Sequence, residues 1–130
     1  GIPVLMTSFP KILNTLGTLY SDERNTYISS LNEYDLLIID DLGSERETDY
    51  ALEQIYSVID ARYRSRKPLI ITTNLSLQEM KNYAYGNDLR YARIYDRVLE
   101  KCQPIAFTGK NYRRSNAKDA YRKAARLLWE

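Results

Sequence analysis

The sequence predicts an α/β fold in which a mainly parallel sheet carries helices on both faces. Short apolar runs of strand length alternate with longer segments whose apolar residues recur at helical spacing. The runs at 36–39 and 69–71 are apolar without alternation, which is typical of parallel strands that are covered on both sides. Because strands and helices alternate along the chain, we expect β-α-β crossovers that place neighbouring strands parallel.

The first half of the chain is predicted to contain two strands and three helices. The run Ile2–Thr7 predicts the first strand, and Ser8 can cap the helix that follows it. The apolar face of that helix holds Phe9, Ile12, Leu13, Leu16 and Tyr20. A second short helix is expected within 22–31, before the strand at 36–39, and Thr48 opens the third helix. The apolar stripe of the third helix consists of Leu52, Ile55, Ile59 and Tyr63.

The second half is predicted to contain two strands and three helices. In order, they are a strand at 69–73, a helix capped by Ser76 and Glu79, a helix at 91–102, a strand at 104–108 and a helix capped by Ser115 or Asn116. The inward side chains of the helix at 91–102 are expected to be Tyr91, Ile94, Tyr95 and Val98. No repeat or linker interrupts the chain, so residues 1–130 form one domain or part of one.

The composition excludes several classes of protein. The chain has no histidine and a single cysteine, Cys102. An internal disulfide is therefore impossible, and neither a zinc site nor a Cys/His nucleophile pair is expected. No apolar run approaches the roughly 20 residues of a membrane span, and no signal-peptide pattern opens the chain. A lone cysteine suits a reducing compartment, so we expect a cytoplasmic location.

The net charge of +2 is unevenly distributed. The segment from residue 110 onward is strongly basic, with Asp119 and Glu130 as its acidic residues. Its basic residues are Lys110, Arg113, Arg114, Lys118, Arg122, Lys123 and Arg126. Such a cluster can contact the phosphates of a nucleotide or a nucleic acid, and it is equally compatible with a solvated helix face.

Two adjacent carboxylates, Asp40 and Asp41, directly follow the apolar run at 36–39. Like charges at the end of a buried strand are costly unless a bound cation removes the conflict. In nucleotide-hydrolysing enzymes a strand-end Asp helps to hold Mg²⁺, and a neighbouring carboxylate orients or deprotonates the attacking water. We therefore assign Asp40 to the Mg²⁺ shell and Asp41 to the water. The alternative is a polar strand end or turn without a ligand.

Further polar candidates lie after the next strand and on the helix at 91–102. Asn74 ends the strand at 69–73, where its amide could contact a γ-phosphate or the attacking water. An Asn in this position is also a common turn former. Three arginines, Arg90, Arg93 and Arg97, are spaced to share one helix face. Spacing alone favours a solvated stripe that nearby acidic residues partly neutralise, and the alternative is an arginine finger presented to a neighbouring subunit.

Taken in order, these strings resemble the DnaC/DnaI helicase loaders and the related IstB transposition helpers. The string at 34–45, YDLLIIDDLGSE, resembles their Walker B block, and PLIITTNL at 68–75 resembles their sensor-1 strand. RIYDRV at 93–98 resembles their arginine-finger helix, with Arg97 at the finger position. The segment 107–114 resembles the closing strand and the sensor-2-like arginine, which falls on Arg113. The resemblance spans nearly the whole chain, and its specificity lies in the ordered set of strings.

The resemblance implies a P-loop NTPase of the AAA+ type, with a three-layer α/β/α architecture. Such a protein binds ATP with Mg²⁺ at subunit junctions, assembles head to tail, and acts on a replicative helicase and single-stranded DNA. It assigns catalytic roles to Asp41, Asn74 and Arg97, a metal role to Asp40 and a nucleotide contact to Arg113. A trans-acting arginine requires head-to-tail packing, which produces rings or open helical assemblies.

One part of the family pattern is absent from the sequence. The Walker A signature, G-x-x-x-x-G-K-[ST], does not occur, and 109–111 (GKN) lacks both the upstream glycine and the hydroxyl residue. We therefore expect that the chain starts downstream of the phosphate loop and of the central strand that precedes it. Without that loop the 130 residues alone are expected neither to bind nor to hydrolyse ATP appreciably.

Three functions remain open on the sequence. The first is an ATPase of replication initiation that loads a helicase, and the second is an IstB-like ATPase that serves a transposase. The third is a non-enzymatic regulatory or DNA-binding module that keeps the fold without the phosphate loop. A single-stranded DNA contact through Phe9 and Lys11 is conceivable, although Phe9 is expected more often in the core.

Overall fold

The computed structural model describes residues 1–43 and 48–106. Within these ranges the elements are β1 (Val4–Ser8), α1 (Phe9–Gly17), α2 (Ser21–Leu31), β2 (Leu36–Leu42), α3 (Asp49–Ser65), β3 (Leu69–Thr73), α4 (Leu77–Ala84) and α5 (Leu89–Lys101). The elements predicted up to residue 102 are thus confirmed, with shifted ends. None of the helices in the described part of the chain is long and apolar enough to cross a membrane.

The last two predicted elements have a different outcome. Residues 104–106, the described part of the strand predicted at 104–108, form no strand. The rest of that strand and the helix predicted after Ser115 or Asn116 lie outside the described residues.

The three strands form one parallel sheet in the order β1-β2-β3. In β1 and β2, Leu5 lies beside Leu37 and Thr7 beside Ile39, and Leu37 in turn lies beside Leu69 of β3. The crossovers α1–α2 and α3 join each strand to the next, as predicted for β-α-β units. The α/β class and the parallel sheet are therefore confirmed.

The core lies on one face of this sheet. Leu37 and Ile39 of β2 are fully buried there, in a single cluster to which every helix from α1 to α5 contributes buried side chains. The opposite face is also apolar but more open: Val4 and Met6 are 47% and 54% exposed. Its other apolar residues, all partly buried, are Leu36, Ile38 and Ile70. The described residues thus supply the sheet and one of the two helical layers that the resemblance implies.

The first helix is shorter than the spacing of apolar residues predicts. Ser8 caps α1 through its side chain, which accepts a hydrogen bond from the amide of Lys11, and Phe9 is fully buried. The predicted apolar face continues to Tyr20, and this part of the prediction is wrong. Because α1 ends at Gly17, Tyr20 lies at the N-cap of α2 with 79% of its surface exposed.

A buried arginine connects α3 to the sheet. Arg62 is fully buried, and its guanidinium donates to backbone carbonyls just ahead of two strands. Nη1 lies 2.9 Å from the Tyr34 carbonyl oxygen, and Nη2 lies 2.6 Å from that of Pro68 and 3.3 Å from that of Asp35. Burial lowers the pKa of Arg62, and the charge of Asp35 raises it in part. The hydrogen bonds compensate the cost of burying the cation.

We expect Arg62→Met to lower the free energy of unfolding by about 2–4 kcal/mol, because carbonyls ahead of β2 and β3 lose their charged donor. Arg64→Met is the matched control. Arg64 is on the same helix with its side chain 72% exposed, and its ion pair with Asp60 should contribute less than about 1 kcal/mol. Denaturant unfolding of both variants measures the difference. Equal effects would contradict a special role for Arg62.

Candidate functional site

The predicted carboxylates and the predicted amide lie at one edge of the sheet. The strand β2 ends with Asp40, Asp41 and Leu42, and Leu42 pairs with Thr73, the residue before Asn74. Asp40 is partly buried, while Asp41 and Asn74 are exposed. Because β2 and β3 are parallel neighbours, their carboxyl ends bring these polar groups together, at the edge where open α/β sheets bind ligands.

The backbone of β2 is irregular where the two carboxylates lie. The pairing with β3 shifts register between Ile39 and Leu42, and Asp41 has a φ of 66°, in the left-handed region that non-glycine residues rarely adopt. A bulge of this kind turns side chains away from the regular alternation of a strand, and such bulges are frequent beside active sites. The strand is therefore distorted at the two residues to which the sequence assigns chemistry.

A hydroxyl on β3 bonds to both aspartates. Thr72 Oγ1 donates to Asp40 Oδ1 at 2.9 Å and accepts from the backbone N–H of Asp41 at 3.2 Å. The next residue, Thr73, bonds to backbone groups instead: its Oγ1 donates to the Leu42 carbonyl at 2.7 Å and accepts from the Leu75 amide at 3.1 Å. The two threonines thus connect the carboxyl ends of β2 and β3 in different ways.

Gly43 follows the carboxylates in a position that excludes a side chain. Its φ is 89°, and a Cβ added to it would lie 3.0 Å from Leu75 Cδ1 and 3.4 Å from the Tyr95 hydroxyl. Tyr95 belongs to α5 and is 3% exposed, with its ring stacked 5.0 Å from that of Tyr83 on α4. The backbone that follows β2 therefore lies close to Leu75 and to the Tyr95 hydroxyl of α5.

The donor set fits Mg²⁺ as part of a nucleotide complex. Within the described residues no group of three or more His, Cys, Asp or Glu side chains could hold a metal ion by itself. Mg²⁺ is usually held by one or two carboxylates together with substrate phosphates. Asp40 and Asp41 match that pattern, since their carboxylates supply hard oxygen donors without forming a complete cage.

The three arginines of α5 share one helix face, and that face also contacts α3. Arg90 and Arg93 are exposed and Arg97 is partly buried, so the stripe remains largely open to solvent. Arg90 pairs with Asp49 at the start of α3, and Arg93 lies 4.3 Å from the ring centroid of Tyr56. Arg97 lies 4.5 Å from the ring centroid of Tyr63 near the end of α3. Since the contacts advance along both helices in the same direction, α5 runs parallel to α3.

Arg97 is held by contacts within its own chain. Its Nε lies 3.4 Å from Asp60 Oδ1, and its Nη1 lies 3.5 Å from Glu100 Oε2. Tyr63, on which Arg97 stacks, also donates its hydroxyl to Glu100 at 2.8 Å. Glu100 therefore neutralises part of the arginine charge, as predicted.

The fold does not bring Arg97 to the carboxylates of its own chain. Tyr63 follows Arg62, which bonds to the carbonyls at the amino ends of β2 and β3. The part of α3 that holds Arg97 (Asp60 and Tyr63) is its anchor. This anchor therefore lies toward the amino-terminal edge of the sheet, whereas Asp40 and Asp41 lie at the carboxyl edge.

The remaining residues considered as nucleotide, DNA or nucleophile candidates lie elsewhere in the chain. Arg113 and the basic segment from residue 110 lie outside the described residues. Phe9 is fully buried, so it presents no stacking surface to single-stranded DNA, while Lys11 is exposed. Burial raises the pKa of the Cys102 thiol, which disfavours the thiolate and agrees with the absence of a predicted cysteine nucleophile.

Sequence reasoning assigned no role to two residues beside the site, Gly43 and Thr72, or to Arg62, which holds α3 at the opposite edge of the sheet. Arg62 lies three residues after Ile59, on the apolar stripe of α3. A charged residue at that spacing is the sequence signal that could have indicated a buried arginine. Gly43 directly follows a strand end, where a glycine often marks a special backbone angle. The bridging hydroxyl of Thr72 had no comparable signal, because its contacts depend on the bulge in the adjacent strand.

Comparison with known proteins identifies the family. The model of the IstB-like ATP binding protein family matches residues 1–120. The chain belongs to the IstB-like ATP-binding family. Membership implies nucleotide binding, and it confirms the predicted resemblance.

Curated relatives of this IstB-like chain include helicase loaders. The replicative helicase loader DnaC of Escherichia coli K12 is 34% identical over 117 residues, which is 87% of this chain and 45% of DnaC. The replicative helicase loader DnaI of Bacillus subtilis is 27% identical over 85 residues, 60% of this chain and 27% of DnaI. The phage-like element PBSX protein XkdC of Bacillus subtilis is 38% identical over 56 residues, 39% of this chain and 21% of XkdC. The chain thus spans less than half the length of each.

We expect Gly43→Ala to lower the free energy of unfolding by about 1–2 kcal/mol, because an alanine there adopts a strained φ and presses on Leu75. Gly17→Ala is the matched control, since Gly17 is the last residue of α1 and an added Cβ meets nothing within 4 Å. This control should be neutral or stabilise by up to about 1 kcal/mol. Denaturant unfolding distinguishes them, and an unchanged stability of Gly43→Ala would contradict both the strain at this φ and the close approach of Leu75.

Proposed function

We propose that this chain is the rear part of an AAA+ ATPase domain that hydrolyses ATP with Mg²⁺ to drive a step of DNA replication. The observation that carries the proposal is the pair Asp40–Asp41 on a bulged strand end, beside Asn74, in a chain of the IstB-like ATP-binding family. A family of ATP-binding proteins gives the nucleotide, and two carboxylates at the carboxyl edge of a parallel sheet give the hydrolytic chemistry.

The side chains at this edge divide the work of hydrolysis. Asp40 and the phosphates of ATP would hold Mg²⁺, which when bound would supply neutralisation of charge on the phosphate oxygens. Asp40, oriented by Thr72, supplies a protein oxygen to the ion. Asp41 orients the attacking water or accepts its proton, and Asn74 hydrogen-bonds the terminal phosphate or that water. Arg113 is the proposed nucleotide contact from the segment beyond the described residues.

The open side of the sheet supports the proposal that residues 1–130 are part of a larger domain. A parallel sheet is normally covered on both faces, yet Val4 and Met6 are about half exposed on the face opposite the core. Within the described residues β3 is an edge strand. The phosphate-loop strand and its helix, proposed to precede Gly1, would pair with β3 and cover that face. Reading the gene upstream of Gly1 tests this directly, since a G-x-x-x-x-G-K-[ST] motif should occur within a few dozen codons.

Arg97 is proposed to act on the nucleotide of a neighbouring subunit. Its anchor on α3 lies toward the edge of the sheet opposite Asp40, so an action on the same chain's nucleotide is disfavoured. Head-to-tail assembly would place α5 of one subunit at the nucleotide of the next. In that arrangement Arg97 exchanges its contacts with Asp60 and Glu100 for a phosphate.

A helicase loader is the version of this function that the relatives favour. DnaC and DnaI, named as replicative helicase loaders, are both similar to this chain, and the match to DnaC covers 87% of it. The proposed partners are therefore a replicative helicase and single-stranded DNA. The second candidate is a transposition helper, which the description of the matched family favours. A transposase gene beside the gene for this chain would select the second.

In the full-length gene product, we expect Asp41→Asn to abolish ATP hydrolysis while ATP still binds, because the amide cannot accept a proton from water. Glu33→Gln is the matched control: Glu33 is an exposed carboxylate just before β2, at the opposite end of that strand from Asp41. It should leave turnover unchanged. Phosphate release and equilibrium nucleotide binding measure the two steps. Normal turnover in Asp41→Asn would remove Asp41 from this role.

For the same gene product, we expect Arg97→Ala to lose turnover by about 10³-fold or more and to regain it when mixed with Asp41→Asn. In the mixture one subunit supplies the carboxylate and its neighbour supplies the arginine. Arg64→Ala is the control, because Arg64 also pairs with Asp60 but is mostly exposed, and it should need no complementation. Steady-state hydrolysis at fixed total protein measures the effect. If the mixture stays inactive, Arg97 does not act on the nucleotide of a neighbouring subunit.

A further inference from the structure

We infer that Thr72 is a positioning residue for hydrolysis, in that its single hydroxyl fixes both aspartates in the geometry that Mg²⁺ and water require. This inference rests on the proposed function and extends it to a residue outside the predicted site. Thr72 is the penultimate residue of β3, two residues before Asn74. It is partly buried, and its contact with Asp40 is partly sheltered from competing water.

The bonding capacity of a hydroxyl accounts for this double contact. A threonine hydroxyl has one proton to donate and two lone pairs to accept. Thr72 donates to the Asp40 carboxylate at 2.9 Å and accepts from the Asp41 amide at 3.2 Å. A hydrogen bond to a carboxylate is stronger than one between neutral groups, so it restricts the rotation of the Asp40 side chain. The orientation of that side chain decides which oxygen faces the ion.

The contact with the Asp41 amide stabilises the bulge itself. A bulge takes a backbone amide out of the regular ladder, and the φ of 66° at Asp41 is unfavourable for a residue that carries a side chain. The Thr72 hydroxyl, on the neighbouring strand, accepts a hydrogen bond from that amide. This bond favours the strained conformation. The same bulge determines where the Asp41 carboxylate projects. One hydroxyl therefore orients the metal-binding aspartate through its side chain and the water-orienting aspartate through its backbone.

A purely structural role makes a different prediction, and Thr73 distinguishes the two. Thr73 carries an identical hydroxyl on the same strand, but that hydroxyl bonds to the Leu42 carbonyl and the Leu75 amide. Removing either hydroxyl deletes two hydrogen bonds between neighbouring segments, so both variants should lose similar stability. Of these two hydroxyls, the one of Thr72 contacts the aspartates, so its loss and not that of Thr73 should alter the use of Mg²⁺.

The test compares Thr72→Val, Thr72→Ser and Thr73→Val in the full-length gene product. Thr72→Val keeps the branched shape and removes the hydroxyl. We expect its kcat to fall about tenfold or more and the Mg²⁺ concentration for half-maximal rate to rise, while Mg²⁺-free ATP binding is unchanged. Thr72→Ser restores the hydroxyl and should restore both parameters. Thr73→Val should show wild-type kcat and Mg²⁺ requirement once rates are normalised to folded protein.

Each outcome of this comparison is decisive. A Thr72→Val enzyme with wild-type kcat and Mg²⁺ requirement overturns the inference and leaves the ATPase proposal standing. Equal losses in Thr72→Val and Thr73→Val also overturn it, since they indicate a structural role. A wild-type gene product without ATP hydrolysis overturns the proposed function and this inference with it. If Thr72→Val does not fold, Thr72→Ala removes the same hydroxyl with a smaller side chain and carries the same expectation.

Discussion

The geometry of this domain depends on the buried guanidinium of Arg62. A cation without access to water must be compensated by hydrogen bonds, and here the acceptors are carbonyls at the amino ends of β2 and β3. This requirement fixes the far end of α3 against two strands at once. Because α5 packs along α3, the position of the predicted finger helix follows from the same contact. An apolar residue could fill the volume of Arg62 but could not fix the register of helix and strands.

The carboxyl edge of the sheet obeys a different constraint. Two negative charges in sequence need an arrangement that keeps both directed toward one ligand, and a regular strand would point them to opposite faces. The bulge at Asp41 breaks this alternation at the cost of an unfavourable backbone angle, and in the proposed site it would let both carboxylates face one ligand. Thr72 and Gly43 both stabilise the bulged conformation. The Thr72 hydroxyl accepts a hydrogen bond from the Asp41 amide, and Gly43 allows the chain to turn close to Leu75. Strain and polarity are thus concentrated where the chemistry is proposed.

The sequence was sufficient to predict the three strands of the sheet and the placement of Asp40, Asp41 and Asn74 at one of its edges, because parallel strands necessarily end at a common edge. It was insufficient where tertiary packing decides. The α5 arginines share one face as their spacing requires, but spacing does not reveal that α3 lies against that face. The extra helical layer implied by the resemblance is likewise beyond what local periodicity in 1–106 determines. The bridge from Thr72 required knowledge of a bulge that no local pattern encodes.

The parallel packing of α5 on α3 has a consequence for the response of Arg97 to its surroundings. Its ion pair with Asp60 is partly shielded from solvent, with the two side chains 33% and 17% exposed, so added salt screens it only weakly. Its contact with the Tyr63 ring involves no second charge and is weakened even less. Ionic strength alone therefore leaves Arg97 on α3. A phosphate carries two negative charges and can accept two hydrogen bonds from one guanidinium. It therefore competes for Arg97 more strongly than a dissolved chloride ion does.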